Sequence, residues 1–190
     1  PNNPDRCLKV VHPGLLNEIK KNKSWYKRLR SIKSFDDNLR EQQAYNQKAL
    51  RKGDPSIWSH LAKWYGMTET NIGMASETEL ITNGGEIAET LEAYLFREGI
   101  TEEIKLSIEN FQSWLREHLI LTKNLIPHNL VLGNENDKIV IKIIDGLGSQ
   151  AFIPLPNYSD FFAKRYVERR IELMWSRINW DLSGRNGNWK

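Results

Sequence analysis

The chain has 190 residues, 39% of them apolar and seven of them Trp, so it can bury a sizeable core without disulfides or metals. Its single Cys, Cys7, cannot form an internal disulfide, which favours a reducing, cytoplasmic location. No apolar run approaches a membrane span and no signal-peptide pattern is present, so no membrane partner is expected. A net charge of +3 is too small to indicate an acidic partner by itself.

The first predicted strand covers residues 6–11, with the sequence Arg-Cys-Leu-Lys-Val-Val. A basic stretch follows over residues 20–33, where seven Lys or Arg residues are interleaved with Trp25 and Tyr26. Such a run can bind nucleic acid or an acidic surface. A solvated helix anchored by Trp25 and Leu29 is the favoured interpretation, so binding of nucleic acid is not expected.

The next part of the chain predicts one helix and two strands. The helix covers residues 37–50, with Ser34 or Asp36 as its N-cap. The strands cover residues 60–70 and 73–81. The run Thr82-Asn83-Gly84-Gly85 then breaks the strand pattern.

Apolar residues at helical spacing predict three further helices. The helices run from about residue 85 to the stop at Gly99, from the cap at Thr101 to residue 119, and over residues 160–178. His118 is expected to pack or to face solvent, because no Cys or carboxylate stands at metal-ligand spacing around it.

Two polar residues flank a predicted hairpin between the last two of these helices. Asn129 follows a Pro-His turn, and Asp145 ends the strand Ile-Lys-Ile-Ile, sixteen residues later. The hairpin folds one polar tip back beside the other. An amide oxygen and a carboxylate are hard ligands of the kind that Mg²⁺ takes when it arrives on a triphosphate. An ordinary turn and an ordinary strand end are the alternative.

This region resembles two motifs of the protein-kinase superfamily, His-Arg-Asp-Leu-Lys-Pro-x-Asn and Asp-Phe-Gly. Residues 122–129 read Thr-Lys-Asn-Leu-Ile-Pro-His-Asn. They keep the Leu, the Pro and the metal-binding Asn of the first motif, but have Asn124 at the catalytic Asp and Ile126 at the Lys. The run Asp145-Gly146-Leu147-Gly148 keeps the Asp of the second motif and departs from its Phe-Gly.

The chain is more closely similar to the PhoP regulatory network protein YrbL family of kinase-like bacterial proteins. That family has a similar Pro-x-Asn loop with a non-Asp residue in the base position. Residues 65–70 (Tyr-Gly-Met-Thr-Glu-Thr) and 153–155 (Ile-Pro-Leu) resemble two further family segments. The likeness extends over nearly all of residues 7–180 and implies a stress-regulated bacterial setting.

The resemblance implies an α+β, two-lobed, protein-kinase-like fold in one domain. Its N-lobe, residues 1–82, would contain a small sheet, and its C-lobe, residues 83–190, would be mainly helical. In that fold the run 6–11 is the third strand, so the first strands and the phosphate-covering Gly-rich loop are absent and the sequence looks truncated at its N-terminus. There is also no room for a long activation segment, so a peptide substrate docked as in eukaryotic-type kinases is not expected.

The resemblance also implies a site for ATP and Mg²⁺, the latter held by Asn129 and Asp145. Lys9 takes the position of the Lys that contacts the α and β phosphates, and Glu41 is the candidate carboxylate that fixes it. Glu18 is a poorer candidate because it follows Lys9 too closely. A solvated strand Lys and a surface Glu are the alternative interpretations. The backbone that would face the adenine edge belongs to Glu79, Leu80, Ile81 and Thr82.

Three functions remain open. A nucleotide-binding pseudokinase with a regulatory role is favoured, because the neutral amide of Asn124 cannot accept a hydroxyl proton and loss of general-base help costs about 10²–10⁴-fold in rate. An active small phosphotransferase is the alternative, since phosphoryl transfer depends mainly on positioning and charge neutralisation. The third is an interaction scaffold that binds only a regulatory protein.

Overall fold

The computed structural model describes residues 3–11, 14, 36–149 and 154–189. The strands in these residues are β1 (Arg6–Val10), β2 (Trp64–Thr70), β3 (Gly73–Glu79), β4 (Thr82–Asn83), β5 (Glu86–Ile87), β6 (Leu130–Glu135) and β7 (Lys138–Ile143). The helices are α1 (Asp37–Tyr45), α2 (Leu91–Glu98), α3 (Glu102–His118) and α4 (Asp160–Leu182). Short 3-10 turns lie at Leu50–Lys52, Pro55–Ser59, Pro127–Asn129 and Leu155–Asn157. The basic stretch 20–33, Glu18 and Ile153 lie outside the described residues.

An antiparallel sheet of three strands, in the order β1-β3-β2, forms the small lobe with α1. Lys9 of β1 stands opposite Ser76 of β3. Helix α1 packs against β2 and β3, and its Tyr45 ring stacks on Trp64 of β2 with ring centroids 5.5 Å apart. The Trp64 indole N–H also donates to the Ser76 hydroxyl of β3 at 3.1 Å, so Trp64 packs on the helix while its hydrogen bond ties it to the neighbouring strand.

Helix α1 begins as predicted but ends at Tyr45, five residues before the predicted end at residue 50. The Asp36 carboxylate caps it by accepting from the backbone N–H groups of Asn38 and Leu39 at 2.9 and 3.3 Å. The N–H groups of Asn46 and Gln47 then bond to carbonyls three residues back, which tightens the last turn and ends the helix.

The predicted strand over residues 60–70 begins only at Trp64, because the residues before it pair with the hairpin. Leu61 forms a parallel bridge with Ile143. The Ala62 N–H donates to the Ile143 carbonyl at 3.0 Å, and the Ile143 N–H donates to the His60 carbonyl at 2.9 Å. This segment therefore joins the small lobe to the strand that leads into Asp145.

The larger part of the chain is helical, with the β6–β7 hairpin packed on it. Helix α3 begins at the Thr101 cap, whose hydroxyl accepts from Ile104 N–H at 3.2 Å, and it packs against β7 and α4. The central core contains the buried faces of these two helices. Those faces consist of Ile104, Ile108, Phe111 and Leu115 from α3 and Ala163, Val167, Ile171, Met174 and Ile178 from α4.

The predicted fold class is confirmed: an α+β, kinase-like arrangement of a small sheet-containing lobe and a mainly helical lobe. Only residues 146–159 separate Asp145 from the start of α4 at Asp160, which leaves no length for a long activation segment. Among the described residues, no helix combines the length and the apolar composition that crossing a membrane requires.

The Gln47 side chain generates a stability prediction. Its Oε1 accepts from the buried Leu121 N–H at 2.7 Å, and its Nε2 donates to the Ala44 and Leu121 carbonyls at 3.1 and 3.4 Å. Gln47→Ala should lower the free energy of unfolding by about 1–3 kcal/mol, because it leaves the Leu121 N–H buried without an acceptor. Urea denaturation followed by circular dichroism measures this, with Gln43→Ala at an exposed position of α1 as the control. Equal losses in the two variants would contradict the assignment.

Candidate functional site

Lys9 lies at the meeting point of the small lobe and the hairpin. Its ammonium nitrogen is 2.8 Å from the Glu41 Oε1 atom, 2.7 Å from the Ile144 carbonyl and 4.0 Å from the Asp145 Oδ1 atom. The Glu41 side chain is only 6% exposed, whereas that of Asp145 is 55% exposed. The ammonium therefore bridges a buried carboxylate, which orients it, and a carboxylate that faces solvent.

A second contact holds the strand of Lys9 against the helix of Glu41. The Asn38 side-chain amide, in the first turn of α1, donates to the Lys9 carbonyl at 2.8 Å. Asn38 is buried, so this hydrogen bond is shielded from water. Backbone and side chain of Lys9 are thus both held by α1.

Tyr45 was not identified from the sequence, although it follows Glu41 by four residues and so lies on the same face of α1. Its hydroxyl donates to the Ala62 carbonyl at 3.1 Å. Burial raises the pKa of the Tyr45 phenol far above its ordinary value, and the carboxylates of Glu41 and Asp145 raise it further. The hydroxyl therefore remains a hydrogen-bond donor at every physiological pH and ties α1 to the Ala62–Ile143 pair.

Asn129 is held in the Pro127–Asn129 turn by three hydrogen bonds. Its N–H donates to the Ile126 carbonyl at 2.9 Å, and its carbonyl accepts from the Ile144 N–H at 3.0 Å. Its side-chain Nδ2 donates to the Asn124 carbonyl at 2.9 Å. Because Nδ2 is committed to that bond, Oδ1 is the side-chain atom of Asn129 that is left to act as an acceptor or a ligand.

Gly146 brings the Asp145 end of the hairpin into backbone contact with the loop. Its carbonyl accepts from the N–H groups of Lys123 and Asn124 at 2.7 and 3.2 Å. Its φ is +85°, and a Cβ there would lie 2.6 Å from the Asn124 carbonyl oxygen. Only glycine fits both the left-handed backbone and the close approach. The segments of Asn129 and Asp145 thus converge, as the hairpin pattern predicted.

The two departures from the kinase loop motif differ in surroundings. Asn124 is half-buried beside Gly146, with an amide where the superfamily has a carboxylate. Ile126 is buried at 6% exposure. The loop therefore has no carboxylate at residue 124 that could accept a proton, and no cation at residue 126.

Some backbone groups in the segment from Glu79 to Thr82 already form hydrogen bonds with neighbouring segments. The Glu79 N–H donates to the Lys63 carbonyl at 2.8 Å, and the Leu80 N–H donates to the Asp5 carbonyl at 3.0 Å. The Ile81 carbonyl accepts from the Ala88 N–H at 2.9 Å.

The Ile81 side chain belongs to a small apolar cluster that sequence reasoning missed. The cluster contains Ala62, Ile81, Ala88 and Val131, with partly buried Ile144 against it. Ile144 immediately precedes Asp145. No local signal could have identified this cluster, since its members come from five separate parts of the chain.

A charge network that the sequence did not reveal lies beside the turn that contains Asn129. The Glu92 carboxylate in α2 accepts from Arg177 and Arg185 at 3.1 and 3.0 Å, and its Oε1 atom is 3.9 Å from the His128 ring. The same two guanidinium groups bond to Asp181, whose side chain is 2% exposed. The i,i+4 pair of Asp181 with Arg177 lies within the last turns of α4 and supports its continuation past residue 178.

The described residues contain no cluster of three or more His, Cys, Asp or Glu side chains that could hold a metal. His118 is buried, with its ring centroid 5.8 Å from that of Trp114 and its Nε2 atom 3.3 Å from the Ser56 hydroxyl.

The family described as PhoP regulatory network protein YrbL matches residues 1–179 of the chain. Many solved chains are similar to this one, and two of them follow. The crystal structure of Rad53 1-466 in complex with AMP-PNP has 15% identity and a TM-score of 0.46, covering 80% of this chain and 39% of that one. The crystal structure of a mutant of the Mycobacterium tuberculosis PknI kinase domain has 14% identity and a TM-score of 0.49, covering 95% of this chain and 66% of that one. No curated protein matches.

The contact between Gly146 and the loop generates a prediction with a matched control. Gly85 has a similar φ of +90° but no atom within 4 Å of an added Cβ. Gly146→Ala should lower the free energy of unfolding by about 1–3 kcal/mol more than Gly85→Ala, because only the former drives a methyl group into the Asn124 carbonyl. Urea denaturation of both variants measures the difference. Equal losses of unfolding free energy in the two variants would show that the loop moves to accommodate the methyl group without a measurable penalty.

Proposed function

The chain belongs to the PhoP regulatory network protein YrbL family and is a kinase-like regulatory protein, and we propose that it binds Mg-ATP between its lobes as a pseudokinase. The single observation that carries this proposal is the position of the Lys9 ammonium, 2.8 Å from Glu41 and 4.0 Å from Asp145. In this proposal the lobes divide after residue 82, within the β4–β5 hairpin, and the protein works in a bacterial cytoplasm.

The chemistry of the site suits phosphate groups and a divalent cation. An ammonium has three N–H donors, and two of those of Lys9 go to Glu41 and Ile144, which leaves one for a phosphate oxygen. The Asp145 carboxylate and the Asn129 side-chain oxygen supply two hard ligands, and Mg²⁺ completes its shell with phosphate oxygens and water. These residues fit the cofactor expected from the family.

We assign the adenine contacts to the end of the segment between the lobes. The N–H groups of Glu79 and Leu80 already donate to neighbouring carbonyls, so Ile81 and Thr82 are the residues whose N–H groups would face the base. Partly buried Ile144, which packs against the buried cluster around Ile81 and Val131, is the apolar side chain on which a flat ring would pack in this proposal.

The Asn124 amide argues for binding without efficient phosphoryl transfer. A general base accepts a proton from the attacking hydroxyl, and an amide oxygen is far too weakly basic for that task. Buried Ile126 supplies no positive charge to the transferring group. An active small phosphotransferase is the second candidate, because the Lys9–Glu41 pair and the Asn129–Asp145 approach retain the positioning part of kinase chemistry.

The first test is nucleotide binding measured by isothermal titration calorimetry. ATP should bind with Mg²⁺ present and should lose its heat signal in EDTA. Lys9→Met and Asp145→Asn should each weaken binding about tenfold or more, which is about 1.4 kcal/mol. Lys63→Met, which removes an exposed Lys from the same lobe, should have no effect. Absence of both heat and a thermal shift at saturating Mg-ATP would instead make the protein a non-nucleotide-binding scaffold.

The second test concerns chemistry. Asn124→Asp should raise Mg-dependent ATP hydrolysis, because it restores a carboxylate beside the attacking water, and adding Asp145→Asn should abolish the gain. A coupled assay of ADP release measures both. Wild-type turnover on the order of 1–100 s⁻¹ would establish the phosphotransferase instead. An Asn124→Asp variant that binds Mg-ATP but does not hydrolyse it would show that another residue prevents turnover, and Ile126 would be the next residue to replace.

A further inference from the structure

A wide cleft, separate from the Lys9 site, opens between α1 and the segment that follows Asp145. Its volume is about 1070 Å³, and one wall is the segment Leu147 to Ser149. Four cationic side chains line it: Arg40, Lys48, Arg51 and Lys123. None of the described lining residues is acidic. The described part of this concave surface therefore carries cationic side chains only, among its charged groups.

The exposed side chain of Tyr158 forms an aromatic rim on this cleft. Tyr158 lines the cleft and is 79% exposed, and nearby in the chain Phe161 and Phe162 are 62% and 40% exposed. Lys48 bonds to Asp160 at 2.8 Å, but this pair is itself exposed and so is readily exchanged for another carboxylate. Aromatic surface beside a concave basic surface is typical of a protein interface rather than of a solvated face.

We propose that this cleft binds an acidic segment of a partner protein, with carboxylates on the basic wall and an apolar side chain on the aromatic rim. The volume exceeds what a single small anion needs, and it suits several residues of extended chain. The carboxamides of Gln43, Asn46 and Asn157 also line the cleft and can bond to a peptide backbone. A single-stranded nucleic acid is the alternative that the experiment below separates, because its phosphates would pair with the cations and its bases would stack on Tyr158.

Occupancy of the cleft bears on the proposed nucleotide site, and this part of the inference rests on the proposed function. A Cβ added at Gly148 would lie 3.1 Å from the Ala44 side chain, so the floor of the cleft touches α1 three residues after Glu41. A ligand between these walls affects the spacing of Glu41 and Asp145. By linkage, the partner and Mg-ATP then change each other's affinity by the same factor.

Fluorescence anisotropy with a labelled peptide of Glu, Gly and Leu tests the docking site without nucleotide. The peptide should bind the wild type, and a Gln-for-Glu version should not. Arg40→Gln/Arg51→Gln should weaken binding about tenfold, which is about 1.4 kcal/mol. Lys105→Gln/Lys138→Gln removes two exposed cations elsewhere and should leave affinity within about twofold. Equal losses in the two double variants would overturn the site in favour of diffuse charge attraction, and no binding to the wild type would overturn it outright.

Two further arms separate the alternatives. Tyr158→Ser should weaken the Leu-containing peptide but not its Leu-free version, and a labelled oligothymidylate that binds as tightly as the peptide would identify the cleft as a nucleic-acid site instead. Repeating the titration with Mg-ATP tests the coupling. Failure of ATP to bind would remove the proposed nucleotide site and leave peptide binding intact. ATP binding with unchanged peptide affinity would remove the coupling alone.

Discussion

The ion pair between Lys9 and Glu41 is the interaction on which the arrangement of this site depends. A carboxylate that is 6% exposed needs a close positive charge, since an unpaired ion in that position would be strongly destabilising. The pair holds β1 and α1 together at one point, while the second bond of Lys9, to the Ile144 carbonyl, brings in the residue before Asp145. Three elements from distant parts of the chain thus share one ammonium group.

The sequence predicted the parts of the site that carry local signals. The turn before Asn129 and the strand ending at Asp145 have clear patterns, and hairpin geometry alone places their tips together. Glu41 was found through the capped helix that contains it. Tyr45, Gln47 and Arg177 were missed because their roles depend on Ala62, Leu121 and Glu92, which stand far from them in the chain. The end of α1 was misjudged for the same reason, since Gln47 leaves the helical path to bond with Leu121.

The proposed function separates two properties that kinase-like folds usually combine. In that proposal, the geometry for holding charged phosphate groups would depend on Lys9, Glu41, Asn129 and Asp145, whereas proton transfer would depend on residue 124. Buried backbone bonds fix the loop around Asn124 whatever its side chain, because the contacts to Gly146 and Asn129 use only its main-chain N–H and carbonyl. A change from carboxylate to amide at this position therefore alters chemistry while leaving the scaffold of the site in place.

The charge network of Glu92 and Asp181 has a consequence for genetic variation at the end of the chain. Arg185 lies beyond the last residue of α4, in a stretch that a sequence comparison would treat as a dispensable tail. A premature stop codon at residue 184 would nevertheless remove one of two guanidinium groups from Glu92 and one from buried Asp181. The loss would fall beside His128, one residue from Asn129, so a nonsense allele that spares every helix would still disturb the surroundings of the Asn129 turn.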